Sequence, residues 1–355
     1  MSAVLDPRVI EREIARIRER ESNPYSSGVK TNLFTLVIFR KAEGHEAGDA
    51  LEPVLQYMLG KRPARIITID QAPAPQTDVT VSGRCFPDRR NRGVCFEEVH
   101  IEAGDDGVGR DPGAWAPLLI RDLPVFAWLP DGLGAWHATI LEAASLIDKL
   151  IVDTSRVPPS NGDLLGQMRG LTALREQAGG SFIISDFCWR RSRVLRELSA
   201  RAFDQPETRA LLSAMRSVSL DGGSGPDGML LYLWLSTRLS WRPASSAQNG
   251  SFSRYPLGPA SGSSLPAFRD RGGREVTFTH AQAGPLAEGF RVRFTFDDAP
   301  EMVIGCTRGG CVSNGTERGA YKFPTDGEIL LEEVDSLSRD PVYQETLERA
   351  GLVGG

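Results

Sequence analysis

The sequence lacks a long apolar run. The longest unbroken one, Met229 to Leu235, spans seven residues, far short of the roughly 18 that suggest a membrane span. It also lacks a basic excess: 41 Lys and Arg stand against 46 Asp and Glu, a net charge of −5, which argues against a dedicated nucleic-acid binder. The opening MSAVLDPRVIEREIARIRER carries charge from its sixth residue and has no apolar h-region, so no secretory signal is expected. Five cysteines in 355 residues are an odd and sparse set, a poor basis for a secreted disulfide framework. The expectation is a soluble cytoplasmic protein.

The usual chemical signatures are missing as well. No GxxxxGK[ST] cradle occurs, and the four histidines, at 45, 100, 137 and 280, fit neither HExxH nor a nucleophile elbow. The Gly-rich stretch DGGSGPDG (221–228) precedes an apolar helical run, where backbone N–H groups can meet an anion. Its spacing does not fit the dinucleotide fingerprint, and a plain loop is the better reading. Asp153 and Ser155 end the strand-like KLIVDTS, a place where open sheets bind ligands but where N-caps and turns are commoner. Cys306 and Cys311 form a lone C-x4-C around TRGG, without the second pair that zinc requires. A Gly-rich turn lets that pair close, so it is a redox candidate, with free thiols as the alternative. Cys85 and Cys95 flank the loop PDRRNRG and can face one another across a hairpin. No catalytic residue, metal site or cofactor is expected.

What the sequence does hold is ordinary for a globular chain: 41% hydrophobic and 25% charged residues, with a length that suggests two domains or one large domain with an appendage. Val9, Ile10, Ile14 and Ile17 predict an amphipathic helix over 7–21 within an N-terminal region 1–29. From 30 to 242, strand-like runs alternate with helical ones. Leu33–Phe39, Arg65–Ile69, Val79–Phe86, Val94–Ala103, Leu123–Leu129, Lys149–Asp153 and Phe182–Ile184 read as strands or buried runs. Helices are expected through Leu51–Met58, Ile140–Ile147, Leu164–Gln177, Ser192–Phe203, Pro206–Met215 and Met229–Leu239. The pattern predicts an α/β fold with a mixed sheet and flanking helices. Segment 243–273 is rich in Gly, Pro and Ser and predicts a linker or irregular crossing. Beyond it, 274–355 predicts a small antiparallel β module, with Glu328–Val334 as a further strand and a closing helix over Pro341–Arg349.

Aromatic and basic residues are grouped in LPVFAWLP (123–130), DFCWRRSRVLRE (186–197) and LWLSTRLSW (233–241). Core packing accounts for most of the aromatics. A helix bearing Arg190, Arg191, Arg193 and Arg196 beside Trp189 also suits an acidic protein surface, since Trp and Arg are enriched at binding hot spots. With Trp128, these are the candidate partner-binding residues.

Taken in order, LPVFAWLP, KLIVDTS, DFCWRRSRVLRELSARAFD and LWLSTRLSW resemble the OpcA family of glucose-6-phosphate dehydrogenase assembly proteins. Asp186, Trp189, Arg191, Arg196, Glu197, Leu198, Ala200, Phe203 and Asp204 match the family's third motif in register. Ser192, Val194 and Leu195 depart from it, and Arg190 and Arg193 add charge. TNLFTLVIFR, ARIITID, VCFEEVHIEA and the tail LSRDPVYQETLE are similar to the family's terminal regions. The resemblance implies a non-catalytic allosteric effector or assembly factor that binds the dehydrogenase, acts in the oxidative pentose phosphate pathway and responds in some relatives to thiol state. The alternative is a sugar-phosphate- or nucleotide-binding α/β protein with its pocket at the strand ends, near Asp153 and the 221–228 loop.

Overall fold

The computed structural model describes residues 6–22, 32–41, 44–87, 93–156, 164–244, 263–280, 284–307, 310–313, 316–319 and 321–352. The chain opens with α1 (Pro7–Ser22), whose Ile10, Ile14 and Ile17 are buried along one face while Val9 stays exposed. There follow β1 (Thr35–Lys41), α2 (Gly44–Leu59), β2 (Arg65–Gln71), β3 (Asp78–Pro87), β4 (Gly93–Ala103), α3 (Pro112–Trp115), β5 (Val125–Leu129), α4 (His137–Glu142), β6 (Lys149–Val152), α5 (Leu164–Gln177) and β7 (Ile183–Asp186). These strands make one sheet in the order β3-β4-β2-β1-β5-β6-β7. β1, β2, β4, β5 and β6 pair in parallel, and β3 runs antiparallel to β4 at the edge. Without that edge strand, the order is the doubly wound one. β5 and β6 are buried throughout and β1 over its first five residues, so they read as unbroken apolar runs rather than alternating ones.

The second sheet begins after α6 (Phe187–Arg191), α7 (Arg193–Ala202) and α8 (Pro206–Ala210). Its strands are β8 (Met215–Asp221), β9 (Arg242–Pro243), β10 (Ser263–Arg269), β11 (Glu275–His280), β12 (Gly289–Phe296), β13 (Met302–Thr307), β14 (Gly310–Ser313) and β15 (Thr316–Gly319). Between β8 and β9 runs α9 (Gly225–Arg238), and the chain closes with α10 (Asp326–Val334) and α11 (Pro341–Gly351). The strand order is β15-β14-β13-β12-β8-β11-β10-β9, with β8 parallel to β11 and antiparallel to β12. β11 and β12 alternate buried and open positions, as a sheet with one face on a core requires. α9 buries every residue from Pro226 to Ser236, so the apolar run 229–235 is a core helix. Its Tyr232 hydroxyl donates to the Val276 carbonyl (3.0 Å) and accepts from the Phe268 N–H (3.0 Å), beside the register break in β10.

The chain forms two compact units. One comprises Met1–Asp153, Leu174–Ser185 and Thr325–Arg339; the other comprises Thr154–Ala173, Asp186–Pro324 and Asp340–Gly355. This differs from the expected body 30–242 and module 274–355. The C-terminal strands are no separate antiparallel module, because β8, from before the expected linker, lies between β12 and β11. Most of 243–273 lies outside the described residues, as do NPYSSG and the tip of PDRRNRG. Its described flanks pair with each other, Pro243 opposite Phe268 and Arg242 opposite Arg269. The expected strand Glu328–Val334 is helical. Thr325 caps it, accepting from the Glu328 N–H (3.2 Å) while the Glu328 carboxylate accepts from the Thr325 N–H (2.9 Å), a capping box that outweighs the local β pattern. The helix expected over 140–147 stops at Glu142 and continues as a 3₁₀ turn, Ala144–Leu146.

Candidate functional site

In the second unit, the family-like motif folds around a buried carboxylate. Asp186 ends β7 and caps α6 by accepting from the Cys188 N–H (2.9 Å). It also accepts from the Thr154 N–H (3.2 Å), the Thr154 hydroxyl (2.8 Å) and the Tyr343 hydroxyl (3.1 Å). Burial, then the Asp186 charge, raises the Tyr343 phenol well above its ordinary pKa, so it stays a donor.

A second layer joins the motif to the chain's last helix. Trp189 donates its indole N–H to Asp340 (2.8 Å), and Asp340 in turn caps α11 through the N–H groups of Val342 (2.9 Å) and Tyr343 (3.1 Å). The Arg196 guanidinium lies 3.3 Å from the centre of the Trp189 ring, a cation–π stack. Its N–H groups donate to the Ser192 hydroxyl (2.7 Å) and the Trp189 carbonyl (2.8 Å). Burial pulls the Arg196 pKa down to about 9, and Asp340, Cys188 and Asp186 oppose the shift. In the sequence, Asp340 and Tyr343 are signalled only by the Asp-Pro-x-Tyr start of a helix, an N-cap followed by Pro at N1.

Beside this core opens a cavity of about 390 Å³ lined by Ser155, Arg191, Ser224, Asp227, Leu286 and Phe323 among others. Arg191 donates to the Ser155 hydroxyl (2.8 Å). Asp227 accepts from the Ser224 N–H (2.8 Å), the Ser224 hydroxyl (2.7 Å) and the Cys188 thiol (3.4 Å). Burial raises its carboxyl pKa above the ordinary value, against those hydrogen bonds. The loop 221–228 therefore meets Ser155 here, but its helix N-terminus already holds the chain's own Asp227 in a capping box with Ser224. An anion has to share that end with a carboxyl group.

The predicted partner-binding residues separate by environment. Arg190 and Arg191 are half-buried, and Arg193 is exposed and paired with Glu197 (2.6 Å). Trp189 and Arg196 are 4% and 8% exposed, so their side chains support the helix from within rather than face a partner. Trp128, at 2%, lies inside β5 of the first unit and is a core residue. Cys306 and Cys311 are directly opposite on β13 and β14 and are joined as a disulfide, with Cα atoms 4.0 Å apart. Cys85 and Cys95 are backbone partners in the β3–β4 ladder.

The first unit has the strand order that elsewhere holds dinucleotides, yet KAEGHEAG after β1 lacks the G-x-G-x-x-G turn. The acidic residue near the end of β2, Asp70, is engaged from both neighbours. Arg40 reaches it through two N–H groups, one at 2.6 Å, and His100 lies 2.8 Å away. The Asp70 pKa is lowered because the His100 and Arg40 bonds outweigh burial, and that of His100 is raised chiefly by its bond to Asp70. Among the described residues, no group of three or more His, Cys, Asp or Glu is placed to hold a metal ion, and no helix is long and apolar enough to cross a membrane.

Comparison with known proteins gives two matches in sequence order to the domains described for the glucose-6-phosphate dehydrogenase subunit of the OpcA type. Residues 57–169 match its N-terminal domain, and residues 183–347 match its C-terminal domain. A relative from Synechocystis, named as the OxPP cycle protein OpcA, is 28% identical over 80% of this chain and 62% of its own length. Its namesake from Nostoc punctiforme is 27% identical over 69% of this chain and 51% of its own. The chain thus spans between half and two-thirds of the length of these relatives. Among solved structures, the WlbA dehydrogenase from Bordetella pertussis is similar over 90% of this chain and 94% of its own, at 10% identity and a TM-score of 0.42. GenD2 from gentamicin A biosynthesis aligns over 92% and 95%, at 12% identity and a TM-score of 0.41. With two domain profiles matched in order over most of its length, and with the motif residues gathered around Asp186, this chain belongs to the OpcA family.

Proposed function

We propose that this chain is a non-catalytic effector and assembly factor of glucose-6-phosphate dehydrogenase. The observation that carries the reading is the ordered match to both OpcA domains, over 57–169 and 183–347. An effector needs only a difference in affinity for two forms of its partner, and coupling of about 1–3 kcal/mol changes an apparent affinity roughly 5–150-fold. Arg190 and Arg193 are the contact candidates. Trp189, Arg196 and Asp340 hold their two helices, α6 and α7, in place. The proposed setting is the cytoplasm.

The test is to titrate the full chain into the dehydrogenase of the same organism while varying glucose 6-phosphate. A lower half-saturation or a higher maximal rate, with co-elution, supports the proposal. No kinetic shift together with no co-elution defeats it. More tetramer with unchanged kinetics per site would leave an assembly factor without allosteric coupling. Arg190→Gln/Arg193→Gln should weaken co-elution at least tenfold without changing the melting temperature. The Cys306–Cys311 disulfide adds a redox proposal: its reduction, verified by alkylation and peptide mapping, alters the kinetic effect. An unchanged effect after reduction removes that proposal alone.

A second reading has its own observation, the cavity of about 390 Å³ where Arg191 and Asp227 meet apolar walls. Its size falls within the usual range for small-molecule sites. It suits a ligand with one acidic group toward Arg191 and a hydroxyl toward Asp227, as in a sugar phosphate. Thermal shift with glucose 6-phosphate in the absence of any partner protein, lost in Arg191→Gln, would favour it. At a hundredfold excess over Kd the stabilisation is about 2.7 kcal/mol.

A further inference from the structure

A different part of the second unit gathers arginines around a cavity of about 680 Å³. Arg242 comes from β9, Arg269 from β10, Arg271 from the turn after it, and Arg349 from the last turn of α11. Arg242 and Arg269 are direct cross-strand partners. Like charges in that relation destabilise a sheet, whereas an opposite pair would stabilise it.

The local carboxylates do not neutralise the group. Asp270 is taken by Arg274, through the Arg274 backbone N–H (2.9 Å) and Nε (2.9 Å). Glu275 faces Arg269 at 3.5 Å. Among the described residues, Arg242, Arg271 and Arg349 have no carboxylate within ion-pair distance. Arg271 donates to the Ser240 hydroxyl (3.2 Å) and Arg349 to the Trp241 carbonyl (3.0 Å), both neutral acceptors. The C-termini of α9 and α11 lie here too, and each contributes about half a negative charge, which leaves a clear positive excess.

Two further features run against stability. Ser240 has a φ of 57°, in the left-handed region that few residues other than glycine adopt. Arg349 is partly desolvated, and burial lowers its pKa. A like-charge pair, a left-handed serine and a half-buried guanidinium in one cavity are local conflicts of the kind that mark functional sites.

We propose that this cavity binds a small anion carrying two linked phosphate groups. Guanidinium forks from a strand, a turn and a helix match the bidentate geometry of phosphate oxygens, and the volume accommodates a diphosphate together with an attached group. The diphosphate is the shared chemistry; inorganic pyrophosphate and the diphosphate of a nucleotide are its two sources.

The test is calorimetric titration of the full chain with pyrophosphate, ADP and adenosine at low salt. Pyrophosphate and ADP should bind saturably at one site and adenosine should not. Binding of ADP tenfold or more tighter than pyrophosphate assigns the nucleotide as the source, and equal binding assigns the inorganic anion. Arg242→Gln/Arg271→Gln should weaken both tenfold or more, whereas the exposed Arg12→Gln should leave both unchanged. Without ligand, Arg242→Gln should melt at the wild-type temperature or higher, because it relieves the pair with Arg269. Absence of saturable pyrophosphate binding, or binding that survives the double substitution in a folded variant, overturns the proposal.

Discussion

Lys149 in the first unit and Arg196 in the second are both buried cations, compensated by different chemistry. The Lys149 ammonium is ion-paired with the Glu333 carboxylate and donates to the carbonyls of Glu333 and Ser336, each at 2.9 Å. Arg196 lies on an indole face and donates to a hydroxyl and a carbonyl. An ammonium is a compact point charge that requires an anion once water is removed. A guanidinium is planar, delocalised and weakly hydrated, so a ring face and neutral acceptors can hold it, with the Asp340 and Asp186 charges favouring it from nearby. The first arrangement is strong and brittle, whereas the second spreads its compensation over several modest contacts.

The sharpest way to break this contrast is Lys149→Met, which strands a buried carboxylate and should cost about 3–5 kcal/mol in urea denaturation. Adding Glu333→Leu should recover most of that loss; if the double variant is as unstable as the single, the pair is not what secures the site. Arg196→Lys should cost less, roughly 1–3 kcal/mol, because it keeps the charge and loses the stack and one or both neutral acceptors. Should it prove as damaging as Lys149→Met, distributed compensation is the wrong description. Asp340→Asn keeps a capping oxygen for α11 and an acceptor for Trp189 while removing a charge, so a loss of about 1 kcal/mol is expected.

The smallest effect belongs to the part-exposed set of Arg40, Asp70 and His100, where solvent screens the charges. The His100 pKa is raised in the folded chain, so its stabilisation is complete below the unfolded value near 6.5 and disappears as pH rises through the folded value. Asp70 is lowered, so its share is present above 3.8 and fades as pH falls through the folded value. His100→Gln should flatten the stability–pH curve above about pH 6.5 by less than about 1 kcal/mol, since its side chain is 33% exposed.

Where hydrophobic period and turn chemistry agree, the sequence was enough. The apolar strands β1, β2, β5 and β6, the hairpin β3–β4, and α5 and α11 follow directly from their patterns. It was not enough where long-range pairing decides. The 243–273 composition is the same for a domain linker and for a segment whose two ends lie on one sheet edge, and only the pairing of Arg242 with Arg269 separates them. The site was legible in part. Asp186, Trp189 and Arg196 belong together, as their motif suggested, but periodicity on one helix does not reveal that Asp340 and Tyr343 complete the cluster. Nor does a Trp beside Arg announce that the ring is the arginine's support.

Neither unit is one continuous stretch of chain; each is assembled from three segments, and the first is completed only by Thr325–Arg339. Lys149 and its partner Glu333 are 184 residues apart, so at a synthesis rate of about 5–20 residues per second the lysine waits roughly 10–40 s for its carboxylate. During translation, then, the doubly wound sheet is made early and sealed late. A nascent chain held on the ribosome short of residue 325 presents an unfinished sheet end to chaperones, and truncation there removes the closure of a unit whose own strands were finished long before.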